Sequence, residues 1–161
     1  MDMKQKDNST DQSQVVKLQR SITLPNDIND VPRLADFVDE VCEALELDMS
    51  LSMSLNLAIE EAVVNVMEYA YPTDTKGEVH LDVKTEDNCL IFVISDSGIP
   101  FDPTVQHEVD TTLTAEDRPI GGLGIHLVRQ IMDSINYVRK DGKNILTLRK
   151  SLTNPAVSNE I

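Results

Sequence analysis

Apolar and polar positions alternate along this chain with two different periods, and the period marks each element. Through DVPRLADFVDEVCEALEL the apolar residues Leu34, Phe37, Val38, Val41, Cys42 and Leu45 recur at three and four, which predicts a helix with one apolar and one acidic face. A second helix is predicted from Asp48 or Ser50 to about Ala70, where Tyr71-Pro72 stops it because the residue before a proline resists helical backbone. It is apolar nearly all round, as a buried helix is. Glu61 and Asn65 are therefore anomalies, and their spacing of four puts them on one stripe. A solvated helix edge is the plain alternative for both.

The period of two appears elsewhere. Val15 to Thr23 reads as a first strand, followed by Pro25 and an Asn-Asp cluster suited to a turn and a helix cap. In GEVHLDVKT the apolar Val79, Leu81 and Val83 alternate with His80, Asp82 and Lys84, a half-buried strand that turns at EDN into the wholly apolar CLIFVIS. SINYVRK and KNILTLRK flank Asp141-Gly142, a two-residue hairpin signal. Between Asp96 and about Gly121 lies a stretch of little periodicity, long for a connection in a compact domain. This order of elements predicts an α+β fold with helices on one face of a largely antiparallel sheet. The polar residues 1–14 and the tail 152–161 are expected to be flexible, with one folded domain over 15–151.

Charge narrows the function. With 28 acidic residues against 14 basic ones the net charge is -14, which sets the chain against nucleic acid and against anionic membrane surfaces. No apolar run nears the roughly 18 residues of a membrane span, and the start MDMKQKDNSTDQSQ has no apolar signal core, so a cytoplasmic protein is expected. Cys42 and Cys89 lack CxxC spacing and are read as buried thiols. His80, His107 and His126 lie far apart without the spacing of a zinc site.

Two segments could hold a ligand. IGGLGIHLVRQIMD places a glycine cluster ahead of a helical pattern, where backbone N–H groups form an anion cradle, although such a turn serves equally as a plain helix entry. No GxxxxGK[ST] occurs, and Leu127 stands where a dinucleotide fingerprint needs its third glycine. In ISDSGIPFDP a buried strand ends at Asp96 and a Gly98 turn, a place where a carboxylate can face a cleft or simply close a turn.

In order along the chain, LAIEEAVVNVMEYAYP resembles the N box of the GHKL ATPases, ISDSGIPFDP their first glycine box and RPIGGLGIHLVRQIMD their second. The wording EAVVN, DSGIPFDP and GGLGIHLVRQIMD is most similar to the anti-sigma-factor serine/threonine kinases, over about residues 15 to 151. The resemblance implies a two-layer α/β sandwich of the GHKL (Bergerat) type, with a mixed, largely antiparallel sheet. It implies that Glu61 is the general base, Asn65 the magnesium ligand and Asp96 the adenine reader, with Gly98 the turn admitting the ring and Thr147 supporting the adenine site. Gly122, Leu123, Gly124 and Ile125 match the phosphate-holding hinge and helix start, and Arg118 a phosphate contact in the lid. Tyr69 departs from the pattern, since relatives often carry histidine there.

The function so implied is an ATP-binding, magnesium-dependent anti-sigma factor that phosphorylates a serine or threonine on an antagonist protein, working as a homodimer. Its partners are a sigma factor and that antagonist. The rival reading is a nucleotide-gated binding module without useful transfer. A sensor histidine kinase ranks last, because the chain shows no phospho-accepting hairpin.

Overall fold

The computed structural model describes residues 16–105 and 125–152. Five strands form one sheet in the order β1-β2-β3-β5-β4: β1 Gln19–Pro25, β2 Glu78–Glu86, β3 Cys89–Asp96, β4 Ser134–Lys140 and β5 Lys143–Ser151. Every pairing among the described residues is antiparallel, so the mixed character expected of the sheet is not found there. Among the described residues there are also three helices, α1 Val31–Ala44, α2 Met49–Tyr69 and α3 His126–Ile131, with a 3-10 turn at Ile28–Asp30 leading into α1.

Alternation decides which side of the sheet the helices cover. Val79, Leu81 and Val83 of β2, Leu90, Phe92 and Ile94 of β3, and Leu146 and Leu148 of β5 are all buried, and they share one core with Leu34, Val38 and Val41 of α1 and Leu55, Ile59, Ala62 and Val66 of α2. The other face carries Thr23, His80 and Asp82, joined by a Thr23 Oγ1 to His80 Nδ1 bond of 2.7 Å and a His80 Nε2 to Asp82 bond of 3.2 Å. The result is two layers, helices on one face only.

Local chemistry sets the boundaries. Asp48 caps α2 by accepting from Leu51 N–H at 2.7 Å. Both hairpins turn on residues with positive φ, Asp87 and Asn88 (53° and 61°) and Asp141 and Gly142 (53° and 77°), the two-residue geometry that matches strand twist. Beyond Ala44 the chain leaves α1 through Glu46, φ 54°, and Leu47 N–H reaches back to the Cys42 carbonyl at 3.0 Å.

Three boundaries and one thiol differ from expectation. β1 begins at Gln19 rather than Val15, because the Thr85 hydroxyl takes the Leu18 N–H at 2.8 Å and ends the regular ladder. It continues to Pro25, which an edge strand tolerates without its N–H. Leu152, assigned to the flexible tail, donates its N–H to the Asn88 carbonyl at 2.9 Å and packs on the core. Cys42 is buried, and burial pushes its thiol pKa up, but Cys89 is only half-buried; both are free.

Candidate functional site

Glu61 and Asn65 lie on α2 one turn apart. The half-buried Glu61 carboxylate accepts the Val128 N–H at 3.1 Å, so it reaches the first turn of α3, where unpaired N–H groups and the helix dipole favour an anion. Asn65 is buried, 3% exposed. One further step of four leads to Tyr69, whose ring stacks on Phe101 with centroids 5.5 Å apart and planes 28° apart. Burial first, then the neighbouring Glu68 charge, raises the Tyr69 hydroxyl pKa. The aromatic pair ties the end of α2 to the turn that follows β3.

Asp96 ends β3 on the helix-facing side, 4% exposed. Its Oδ1 accepts from Gly98 N–H at 2.8 Å and from Asn144 Nδ2 at 2.9 Å. Its Oδ2 is buried and has no hydrogen-bond partner. Burial raises the Asp96 pKa, opposed by the bonds from Asn144 and Gly98 and by the charge of Arg139. A carboxylate with one oxygen fixed and the other left unpaired in the interior is a costly arrangement in the free protein, since a buried acceptor without a donor forfeits its hydration. It is complementary to a ligand that brings a donor, such as the exocyclic amine of adenine; the carbonyl of guanine would oppose oxygen to oxygen. A cleft of about 960 Å³, lined in part by Asp96, Gly98, Arg139 and Lys143, opens at this end of the sheet.

Asn144 is the member of this candidate site that sequence reasoning missed. It pairs with Asp96 across β3 and β5. Its Nδ2 donates to Asp96 and to the Ile99 carbonyl (2.8 Å), and its Oδ1 accepts from Tyr137 Oη (2.5 Å), Phe101 N–H (3.1 Å) and Arg139 Nη1 (3.2 Å). It thus fixes both the carboxylate and the turn beyond it. The signal was available: in KNILTLRK the inward positions are Asn144, Leu146 and Leu148, and the polar member of an apolar set is the informative one. Thr147 lies on the opposite face, paired with Val93 and Asn136, and the structure does not bring it to Asp96. Replacing Asn144 with Leu is expected to cost about 2–3 kcal/mol, because it strands buried donors and acceptors. Urea unfolding measures it.

Gly98 is required by packing. A Cβ there would stand 2.1 Å from the Ala70 carbonyl oxygen, at the point where Ile99 N–H donates to that same oxygen at 2.8 Å. The described contact is with the end of α2. Gly98→Ala is expected to cost about 1–3 kcal/mol, the range for overpacking against atoms that cannot yield, and a thermal melt reads it. Ile125 is buried and its carbonyl accepts Arg129 N–H at 3.0 Å, which anchors the start of α3 in the core. Arg118, Gly122, Leu123 and Gly124, with His107, lie outside the described residues.

The site thus consists of a single-faced antiparallel sandwich with an unpaired interior carboxylate at one sheet end and a glutamate on the covering helix. The chain belongs to the histidine kinase-like ATPase domain family, which matches residues 24–150. It is 31% identical over 98 residues to the serine/threonine-protein kinase BtrW of Bordetella bronchiseptica, covering 61% of this chain and 69% of that one. It is 29% identical over 110 residues to the serine-protein kinase RsbW of Bacillus thuringiensis, covering 66% and 68% respectively. The crystal structure of the RsbU and RsbW domains of Rv1364c from Mycobacterium tuberculosis superposes with a TM-score of 0.61 at 20% identity, over 86% of this chain and 33% of that one. The chain thus spans a third of that solved chain, and the likeness concerns the fold. No helix among the described residues is long and apolar enough to cross a membrane.

Proposed function

We propose that the chain is an ATP-dependent serine/threonine protein kinase that sequesters a sigma factor and phosphorylates an antagonist protein, as a homodimer in the cytoplasm. The observation that carries the nucleotide half of this reading is the buried Asp96 carboxylate, held by two donors on one oxygen and unpaired on the other. The kinase half is supported by Glu61 of α2, whose carboxylate reaches the first turn of α3, and by the names of the relatives, a serine-protein kinase and a serine/threonine-protein kinase.

Asn65, buried one helical turn from Glu61, is the residue that would hold magnesium: its amide oxygen would supply the one protein donor, and phosphate oxygens and water the remainder, a donor set that suits this ion. When bound, magnesium supplies charge neutralisation for the phosphates. The chain's own residues do the rest. Asp96 accepts from the adenine amine and fixes the base. Glu61 takes the proton from the acceptor hydroxyl as its oxygen bonds to the γ-phosphorus, the bond from that phosphorus to the β–γ bridging oxygen breaks, and ADP leaves.

Incubating the purified protein with γ-labelled ATP and fractionated cell extract tests the reading. The expected result is one labelled protein whose phosphate is stable in acid, as a serine or threonine ester is. Acid-labile label would indicate a phosphohistidine, and binding without label would leave only a nucleotide-gated module; either result contradicts the proposal.

A further inference from the structure

Residues four apart on a helix stack into one slowly turning ridge. On α2, Glu61 and Asn65 belong to such a ridge, and it runs back through Leu57 and Met53 to Met49. These three apolar side chains are 52%, 62% and 77% exposed. Nothing in the packing of α2 requires them, since its core contacts are made by Leu55, Ala58, Ile59, Ala62, Val63 and Val66. A helix that turns one face to solvent carries polar residues there. With a rise of 1.5 Å per residue, the stripe is about 12 Å long and its end at Leu57 lies about 6 Å along the axis from Glu61.

The surroundings of the stripe specify what fits it. Between Val31 and Tyr69 the chain has nine acidic residues and one cation, Arg33. Asp48 and Glu60, both exposed, flank the stripe on α2 itself. A matching surface is therefore apolar where it touches and basic around the contact. A second copy of this face would set like charge against like, which costs affinity. Methionine adds to the fit, because its unbranched side chain adapts to a partner's contour.

We infer that Met49, Met53 and Leu57 form the docking platform for the protein substrate, which lays a basic-flanked apolar segment along the stripe and so brings its acceptor hydroxyl to Glu61. The inference rests on the kinase reading. Substrate recognition then uses α2 itself, and the helix that carries the base also carries the track that leads to it.

The test uses the full chain and the acceptor protein that the wild type labels, purified. The variants are Met53→Ser with Leu57→Ser, and Met53→Lys alone, surface changes that remove no core contact. The expected result is a KM for the acceptor raised about tenfold or more, with kcat and ATP affinity within about twofold of wild type. For the wild type, KM should also rise with salt, since an acidic rim meets a basic partner. If the wild type labels its acceptor and the double variant does so with unchanged KM, the platform is wrong while the kinase reading stands. If the wild type binds ATP and labels no protein, the kinase reading fails and the platform with it. A variant that loses ATP affinity, or changes its sedimentation, assigns the stripe to another segment of this chain or to a second copy, and overturns the inference.

Discussion

Asp96→Asn is expected to weaken ATP binding about a hundredfold or more, equivalent to about 2.7 kcal/mol, while the protein folds at least as well as before. The side chain is isosteric, and the new amide oxygen can still accept from Gly98 N–H and Asn144 Nδ2, so the turn and the hub at Asn144 survive. What changes is the second position, where an oxygen with no partner becomes an NH₂ group. An adenine amine would then meet a donor instead of an acceptor, and sites built around a buried hydrogen bond reject the mismatched ligand by large factors. Isothermal titration measures the loss; unchanged affinity removes Asp96 from the site.

The same substitution has a stability signature with a definite sign. Burial raises the Asp96 pKa above the ordinary carboxylate value, so the folded protein holds that proton more tightly than the unfolded chain. The stabilisation this gives is complete below the ordinary value and is lost as pH rises through the raised one. At neutral pH the wild type therefore carries a buried charge that Asn lacks. Asp96→Asn should melt higher than wild type at pH 7 in the absence of nucleotide, and the gap should close in acid. A gap that widens in acid contradicts the account. On the proposed reading, the residue that binds the base is one that the empty fold tolerates poorly.

Glu61→Gln is expected to lower kcat for phosphoryl transfer by about 10² to 10⁴, the usual worth of a positioned general base, with ATP affinity little changed. Gln keeps an oxygen that can accept Val128 N–H, so α3 stays capped, and the loss isolates proton transfer. Glu61→Ala removes both roles and is expected to cost about 1 kcal/mol of stability in addition. Single-turnover transfer to the acceptor protein, set beside thermal melts of both variants, separates the base from the cap. A Gln variant with wild-type kcat would leave Glu61 only its structural bond to α3.

Where local chemistry fixes a backbone state, the chain announced its structure. Asp48 or Ser50 before a long apolar stretch marked a helix start, of which Asp48 proved the cap, and Asp141-Gly142 between two alternating runs marked a hairpin, because a cap and a positive φ are decided by the residues themselves. Glu61, Asn65 and Asp96 stood out as polar groups in apolar contexts, and all three proved wholly or partly buried. What escaped was set by register. Thr147 and Asn144 differ by three residues and so point to opposite faces of β5; only the pairing of Asp96 with Asn144 shows which one faces the carboxylate. Gly98 read as a turn that admits a ligand, whereas the approach of the Ala70 carbonyl is a tertiary contact that no local pattern encodes. Leu152 and the start of β1 depended in the same way on single long-range bonds, to Asn88 and to Thr85. The stripe on α2 was hidden by its own composition, since Met49, Met53 and Leu57 read as part of a helix apolar all round until exposure separated them from the core.

The most direct measurement is an equilibrium titration of the purified protein with ATP, ADP and GTP, with and without magnesium, followed in the same samples by label transfer to protein. The account predicts that ATP and ADP bind and GTP does not, that Asp96→Asn erases this preference, that magnesium strengthens ATP binding, and that a single protein acquires acid-stable phosphate. Equal affinity for ATP and GTP, or adenine selectivity that survives Asp96→Asn, would contradict it.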